Sequence, residues 1–192
     1  ILGFFSVDGE RYCSYQDGKV YRNAWVQLPE GGLALADDRG ALRDVGADET
    51  SDGKIRLTDE GGNPRAGWVE LAGETFYTDA DGIVQTQWQQ IDGGWYWLGS
   101  QGVKQTGWIT PYGTNTYYLD PDDNGRMATG WRQIDGAYYL FDPAGGALQT
   151  GWVQPYGSYW YYCGTDGAMY VGWHQINGYW YYFDDPSGVM HE

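Results

Sequence analysis

A Trp, usually preceded by Gly or another small residue, recurs about every 20 residues, and this period constrains the fold more than any other feature. The residues that share this place are Trp25, Trp68, Trp88, Trp108, Trp131, Trp152 and Trp173. The first interval is twice as long as the others, so we place Asp48 at the position of an absent Trp, and Phe4 starts one further unit. The sequence therefore predicts about nine short repeats.

A second glycine marks the end of each repeat and supports this alignment. It occurs once per unit, at Gly18, Gly40, Gly62, Gly82, Gly102, Gly125, Gly146, Gly167 and Gly188. In most units an apolar residue follows two positions later, as Val84, Met169 and Met190 do. Agreement between two independent markers indicates that the units are equivalent structural elements.

Each unit has the pattern of a β-hairpin, which is clearest in the last one. Asn177-Gly178 lies between aromatic and β-branched residues, a strong signal for a two-residue type I′ turn. Closing the hairpin there pairs Ile176 with Tyr179 and Trp173 with Tyr182. A lone two-stranded hairpin is marginally stable in water, so the units must stack on one another. The sequence therefore predicts an all-β fold, a β-hairpin solenoid in which each repeat contacts its neighbours.

Composition and charge narrow the choice of partner. The chain holds 11 Trp and 18 Tyr among 192 residues, whereas Leu, Ile and Val are sparse, so the core must consist largely of rings. The formal net charge is −15, with 26 acidic and 11 basic residues. Nucleic acid and anionic membrane surfaces need basic patches, so this charge argues against both. It agrees with a cationic ligand, and equally with a role in solubility alone.

The sequence also bears on the membrane, the chain start and the cysteines. No run of about 18 apolar residues is present, so we predict no membrane insertion. The chain opens Ile1-Leu2-Gly3-Phe4 without the pattern of a signal peptide, and we expect it to be a segment of a longer protein. Cys13 and Cys163 lie at opposite ends of the array, too far apart for a disulfide, so we predict two free thiols.

Patterns for catalysis and metal binding are absent from the sequence. His174 and His191 are not spaced with Cys or carboxylates as metal ligands would be, so we expect no metal and no cofactor. The oxygen-rich run 120–124 lacks the spacing of a calcium loop, which favours a solvated turn. No nucleophile elbow, phosphate loop or dinucleotide fingerprint occurs, and Asp lies mainly at turn positions. We therefore expect no catalytic residues and no enzyme activity from this segment.

These motifs, taken in order, resemble those of a known family. Gly-Trp, a turn Gly, an aromatic triplet and Gly-x-Met follow one another from Thr150-Gly151-Trp152 to Met169, and again from Gly172-Trp173 to Met190. This order resembles the cell-wall or choline-binding repeats of secreted bacterial surface proteins. Similar repeats occur in glucan-binding regions of glucosyltransferases and in carbohydrate-binding tails of bacterial toxins. The resemblance covers residues 88–192 well and residues 1–87 loosely.

The resemblance implies a left-handed solenoid of hairpins that binds choline between consecutive repeats. Two rings of one hairpin and one ring of the next would enclose the quaternary ammonium, often with a Met nearby. A trimethylammonium donates no hydrogen bond, and ring faces attract it by cation–π interactions of about 1–2 kcal/mol. Carried over by position, the expected ligand-binding residues are Trp88, Trp95, Trp108, Tyr117, Met127, Trp131, Tyr138, Trp152, Trp160, Met169, Trp173 and Trp180.

We expect these residues to form pockets in chain order. Trp88 and Trp95 would meet Trp108, and Trp108 and Tyr117 would meet Trp131, with Met127 near. Trp131 and Tyr138 would meet Trp152, and Trp152 and Trp160 would meet Trp173, with Met169 near. Trp173 and Trp180 have no following repeat, so their pocket stays open unless a homodimer through the terminal repeat completes it.

The first half departs from the family pattern. The residues that stand where the second ring belongs are Arg11, Leu33, Ile55 and Thr75. We therefore predict one continuous solenoid with two parts. Residues 1–87 would be a degenerate scaffold, and residues 88–192 would be the ligand-binding half.

These observations predict a non-catalytic cell-wall-binding module, secreted and held at the bacterial cell surface. Its partner would be a choline-bearing wall polymer such as teichoic acid, bound by several weak pockets acting together. Two alternatives stay open. Stacked rings beside Gln90, Gln133, Gln154 and Gln175 would also suit a carbohydrate such as glucan, peptidoglycan or an oligosaccharide. The degenerate first half would suit a structural spacer that presents a domain outside this chain.

Overall fold

The computed structural model describes residues 3–191. Ile1, Leu2 and Glu192 lie outside the described residues, and so does the first half of the opening Ile1-Leu2-Gly3-Phe4. Within that range the chain is all-β apart from the 3-10 turn Pro121–Asp123. Among the residues described, no helix has the length and apolar character needed to cross a membrane. The chain divides into two compact units, residues 1–105 and residues 106–192.

The first unit consists of ten strands that follow one another as hairpins. Their bounds are β1 Gly3–Val7, β2 Glu10–Ser14, β3 Ala24–Gln27, β4 Leu33–Ala36, β5 Leu42–Glu49, β6 Ile55–Leu57, β7 Gly67–Leu71, β8 Glu74–Thr78, β9 Gln87–Ile91 and β10 Gly94–Leu98. Each odd-numbered strand pairs antiparallel with the even-numbered strand after it. β4 also pairs with β5, which joins two hairpins into one four-stranded sheet.

The second unit continues the pattern of consecutive hairpins. Its strands are β11 Gly107–Ile109, β12 Tyr117–Asp120, β13 Arg126–Met127, β14 Gly130–Ile134, β15 Ala137–Phe141, β16 Gly151–Val153, β17 Tyr161–Cys163, β18 Gly172–Ile176 and β19 Tyr179–Phe183. The hairpins are β11–β12, β14–β15, β16–β17 and β18–β19, and β13 adds a short third strand to the first of them. The predicted all-β array of consecutive hairpins is confirmed.

The register of the last hairpin is the one that its turn sequence predicts. Ile176 opposes Tyr179, and Trp173 opposes Tyr182. Asn177 and Gly178 have φ angles of 52° and 86°, as both central residues of a type I′ turn require. Because every side chain in a strand alternates between two faces, this register fixes which rings of the hairpin share a face.

The third hairpin corrects the alignment by one residue. Ala47 opposes Leu57, and the Thr58 amide donates to the Gly46 carbonyl oxygen at 2.9 Å. In β14–β15, Trp131 and Leu140 occupy the same pair of positions. Gly46-Ala47 therefore stands in the place of Gly-Trp, and the placement of Asp48 there was wrong. The error arose because Ala in place of Trp leaves no ring to mark the register.

A residue at the end of the second strand, or one place before it, forms the core of several hairpins. Side chains at this position are fully buried in several repeats, namely Leu98, Leu119, Phe141, Cys163 and Phe183. The residue two places after the second glycine pairs back to this core residue, as Met169 does to Cys163 and Met190 to Phe183. The second glycine of each repeat therefore lies in the turn that brings the chain back to its own hairpin.

Gly82, one of these second glycines, sits close to the preceding hairpin. Gly82 has a φ of 77°, and its carbonyl oxygen accepts a 2.9 Å hydrogen bond from the Leu57 amide of the preceding hairpin. A Cβ atom at Gly82 would lie 2.6 Å from the Leu57 carbonyl oxygen. Gly93 has nearly the same φ, 76°, but a Cβ there would meet no atom within 4 Å.

This difference makes a matched pair of variants. We expect Gly93→Ala to lower the free energy of unfolding by about 1 kcal/mol, the cost of a non-glycine residue at positive φ. Gly82→Ala should cost about 1–3 kcal/mol more, since a rigid backbone oxygen must also move. Urea unfolding of both variants measures the difference. Equal losses would mean that the two hairpins do not approach each other at Gly82.

Cys13 and Cys163 are free thiols, and both are fully buried. Burial raises the pKa of each, and it raises the pKa of Cys163 to about 11. A raised thiol pKa means that the folded protein holds the neutral form, which reacts poorly with thiol reagents.

We expect Cys163 to stay unreactive in the folded protein at pH 9. A thiol with this pKa is about 1% ionised there, whereas an ordinary thiol with a pKa near 8.5 is mostly ionised. The rate of modification by a disulfide reagent should therefore be far lower than in the urea-unfolded chain. It should rise only as the pH approaches 11. Rapid modification of the folded protein at pH 9 would contradict the burial of this thiol.

Candidate functional site

In β9–β10 and in β16–β17, two rings of one hairpin share a face and meet edge to face. In β16–β17, Trp152 opposes Tyr162, and Trp160 lies two residues before Tyr162. The Trp152 and Trp160 ring centroids are 6.3 Å apart, with their planes at 86°. Trp88 and Trp95 of β9–β10 repeat this geometry at 6.5 Å and 87°. The strand register therefore places the predicted ring pairs side by side within their own hairpins.

A third ring comes from the next hairpin and closes a corner. The Trp152 ring meets Tyr181 of the following hairpin at 4.9 Å between centroids, with the planes at 69°. The same contact recurs between a Trp and the Tyr of the next second strand in three more places: Trp68–Tyr96 at 5.0 Å, Trp108–Tyr139 at 5.0 Å and Trp131–Tyr161 at 5.2 Å. We call this contact the Trp–Tyr corner.

One such corner opens into a ring-lined cavity of about 360 Å³. Its lining residues are Trp131, Tyr138, Tyr156, Tyr161, Met169, Pro186 and Ser187. Tyr138 is 39% exposed, so the cavity is open to solvent on that side. No carboxylate or amide side chain is among the residues that line this cavity. The site therefore offers ring faces, a thioether and a few hydroxyl groups.

The next corner has the same parts. Trp152, Trp160 and Tyr181 supply the rings, and the two Trp side chains are 36% and 42% exposed. The Met190 amide donates to the Trp160 carbonyl oxygen at 2.8 Å, just as the Met169 amide donates to Tyr138. Each Met is therefore fixed beside the ring pair of the preceding hairpin.

The third ring of these corners differs from the sequence-based expectation. Trp131 was expected to meet Trp152, and Trp152 to meet Trp173. The structure instead places Tyr161 and Tyr181 against them, and neither Trp–Trp pair is in ring contact within residues 3–191. The reason is strand alternation: Trp152 shares a face with Tyr162 and points to the next hairpin, whereas Tyr161 points back to Trp131. Likewise Trp108 meets Tyr139 and not Trp131.

Neither predicted Met assignment agrees with the structure. Met169 was assigned to Trp152 and Trp160, but it lines the cavity of Trp131 and Tyr138. Met127 was assigned to Trp108, but Leu148 takes that place, since its amide donates to the Thr116 carbonyl oxygen at 2.8 Å. Met169 follows β16–β17 but lies beside the rings of β14–β15, because the chain turns back across its own second strand.

Tyr117 is also displaced from its expected role. It opposes Ile109, and Leu119 opposes Gly107, so Tyr117 is equivalent to Tyr139 and not to Tyr138. Thr116 takes the second-ring position beside Trp108. The longer turn of this hairpin, which ends just before Tyr117, hid the correct register from the sequence pattern. This corner therefore keeps only two of its three rings.

The remaining predicted residues lie in the terminal hairpin. Trp173 opposes Tyr182, and their ring centroids are 5.2 Å apart. Trp173 and Trp180 are 67% and 65% exposed, the values of an open ring surface. The pair therefore sits as predicted within its own hairpin, without a third ring.

The acidic loop does not gather metal ligands. Within residues 3–191 no group of three or more His, Cys, Asp or Glu side chains is arranged to hold a metal ion. Asp120 instead caps the 3-10 turn by accepting a 3.0 Å hydrogen bond from the Asp122 amide. Its carboxylate thus serves the turn, as Asp does at many turns.

Comparison with known proteins places these features in a family. The choline-binding repeat matches residues 85–129, and the cell wall binding repeat matches residues 129–147, 150–169 and 171–190. The structure of CbpJ from Streptococcus pneumoniae TIGR4 aligns with a TM-score of 0.70 at 29% identity, over 97% of this chain and 73% of CbpJ. Among curated protein sequences, none matches the chain.

Choline binding protein F from Streptococcus pneumoniae is similar to the same extent. It aligns with a TM-score of 0.69 at 30% identity, over 97% of this chain and 71% of that protein. Its structure in the presence of a peptidoglycan analogue, a tetrasaccharide-pentapeptide, aligns with a TM-score of 0.68 at 29% identity, over the same shares.

The hairpins and their Trp–Tyr corners define a binding module built from aromatic repeats. The chain belongs to the choline-binding repeat family. The corner residues that sequence reasoning missed are Tyr139, Tyr161, Tyr181, Leu148 and Met190. The three Tyr residues could be recognised in the sequence, since each directly follows the second-ring position. Only the strand register shows which neighbouring hairpin that Tyr faces.

Proposed function

We propose that this chain is a non-catalytic cell-wall-binding module that holds choline groups of a wall polymer in its Trp–Tyr corners. The observation that carries the proposal is the cavity lined by Trp131, Tyr138, Tyr161 and Met169. It combines four rings, the fourth being Tyr156, with a thioether and has no carboxylate in its lining. The same set, apart from Tyr156, recurs at Trp152, with Tyr181 in place of Tyr161.

The chemistry of the cavity favours a quaternary ammonium. A trimethylammonium cannot donate hydrogen bonds, so it needs ring faces and apolar contacts in place of acceptors. Ring faces attract such a cation by about 0.5–2 kcal/mol each, most where water is excluded. The chain's net charge of −15 adds a long-range attraction for cations.

A carbohydrate ligand fits this cavity less well. Amide and carboxylate side chains, which pair well with sugar hydroxyls, are absent from its lining, and neither Gln133 nor Gln154 lines the cavity. Gln175 uses its amide within its own hairpin, where it donates to the Gly178 carbonyl oxygen at 3.2 Å. The glutamines that would have suited a sugar therefore lie outside the ring-lined space.

The partner that we propose is a choline-substituted polymer such as teichoic acid, at the surface of the cell that secretes the protein. One corner binds weakly, but consecutive corners on one chain raise the effective concentration of the next choline group. Choline binding protein F, a relative over most of this chain, has been solved with a peptidoglycan analogue. That structure supports a ligand of the cell wall.

Elution from an affinity matrix tests the ligand class. We expect the protein to bind a matrix that carries choline or a tertiary amine analogue, and free choline to release it. Soluble glucan or peptidoglycan oligosaccharides should leave it bound. Release by oligosaccharides and not by choline would contradict the proposal and favour a carbohydrate ligand.

Two Trp→Ala variants separate a binding ring from a scaffold ring. Trp152 belongs to a complete corner, whereas Trp25 packs on Phe76 at 5.5 Å and donates to the Gln101 carbonyl oxygen at 3.0 Å. We expect Trp152→Ala to weaken choline binding at its corner about tenfold or more, the worth of a cation–π contact with its burial. Trp25→Ala should lower the melting temperature and leave the choline affinity of the folded protein unchanged. Equal losses of affinity, measured by calorimetric titration, would contradict this division.

A homodimer through the terminal hairpin stays a prediction. The rings that it would cover are Trp173, Tyr179 and Trp180, with exposures of 67%, 72% and 65%. A patch of this kind is typical of an interaction surface. Sedimentation equilibrium with and without choline would show whether the chain self-associates.

A further inference from the structure

One Trp–Tyr corner lies in the first unit, outside the half that the sequence assigns to ligand binding. Trp68 meets Tyr96 of the next hairpin at 5.0 Å and 72°. These values match Trp152 and Tyr181, at 4.9 Å and 69°. Tyr96 is almost fully buried, so this corner is rigidly held. Its geometry is that of the complete corners.

Two substitutions distinguish this corner from the complete ones. Thr75 stands in the second-ring position, and its hydroxyl donates to a Glu70 carboxylate oxygen at 2.7 Å. Lys104 stands where the complete corners have Met: its amide donates to the Thr75 carbonyl oxygen at 2.7 Å, as the Met169 amide does to Tyr138 at 2.8 Å. The Lys104 backbone also pairs antiparallel with Leu98, as the Met169 backbone does with Cys163. The backbone thus delivers a lysine to the ligand side of the corner.

The lysine side chain turns onto the ring. The Lys104 Nζ atom lies over the Trp68 ring, 5.3 Å from its centroid. That distance is within the range of a favourable cation–π contact. Lys104 therefore places its charge on a ring that an external cation would otherwise use.

We propose that Lys104 is an internal ligand of the Trp68–Tyr96 corner and excludes choline from it. The inference rests on the proposed function, because it assumes that the complete corners take a quaternary ammonium. A tethered ammonium competes at an effective concentration that free choline at ordinary levels does not reach. The residue two places after the turn glycine thus decides whether choline can enter a corner. Met or Leu at this place leaves the corner open to choline, and Lys closes it.

The lysine contact can be tested without any ligand. A Trp ring shifts the resonances of protons above its face upfield, and the chain has only three lysines to resolve. In protein labelled with 13C-lysine, we expect one set of δ and ε methylene signals to lie upfield of the other two. Trp68→Leu should return it to their position. Three coincident sets, or a shifted set that Trp68→Leu leaves in place, would overturn the proposal.

Choline stoichiometry then tests exclusion. We expect Thr75→Tyr to leave the number of cholines per chain at the wild-type value, and Thr75→Tyr with Lys104→Met to raise it by one. Thr75→Tyr with Lys104→Arg is the matched control: it keeps a cation on the ring and should gain no site. Circular dichroism confirms that each variant is folded. If the folded variant that combines Thr75→Tyr with Lys104→Met adds no site, exclusion by the cation is wrong. The same holds if the variant that combines Thr75→Tyr with Lys104→Arg adds one.

The two arms separate this inference from the function beneath it. If wild-type protein bound no choline at any corner, the proposed function would fail, and with it the exclusion of choline. The lysine signals would still decide whether Lys104 occupies the corner. If wild-type protein bound choline while the lysine signals showed no ring shift, the function would stand and the internal ligand would not.

Discussion

The contact between a Trp of one hairpin and a Tyr of the next is the interaction on which the rest of this structure depends. A two-stranded hairpin buries too little surface to be stable alone, so each must be fixed against a neighbour. The edge-to-face corner does this with large rings, which bury much area and prefer a defined geometry. Because the corner leaves part of each Trp face uncovered, the contact that holds two repeats together also forms the wall of the proposed binding site.

What occupies that uncovered face differs from corner to corner. At Trp131 and Trp152 a second ring and a Met frame an open space. At Trp108 the second ring is reduced to Thr116, and Leu148 replaces the Met. At Trp68 the chain's own Lys104 lies over the ring. One backbone pattern therefore yields open, partial and self-filled corners, through substitutions at two positions per repeat.

The sequence predicted the hairpins well and the corners only in part. Asn177-Gly178 defines its turn locally, so the pairing of Ile176 with Tyr179 follows from the sequence alone. Which neighbour a ring faces depends on contacts between repeats, and local pattern does not contain them. That is why Tyr161 and Tyr181 were missed and Trp152 and Trp173 were named as third rings. Where a marker ring was absent, as at Ala47, or a turn was longer, as before Tyr117, the register itself slipped by one residue.

The most direct measurement of the central claim is the set of intermolecular nuclear Overhauser effects from choline methyl protons to aromatic side chains. We expect methyl protons of one bound choline to show effects to Trp131, Tyr138 and Tyr161 together, with the Met169 methyl group also close. That result would place the ligand in a corner shared by two hairpins. Effects that join Trp131 to Trp152 without Tyr161, or effects confined to exposed rings of a single hairpin, would contradict it.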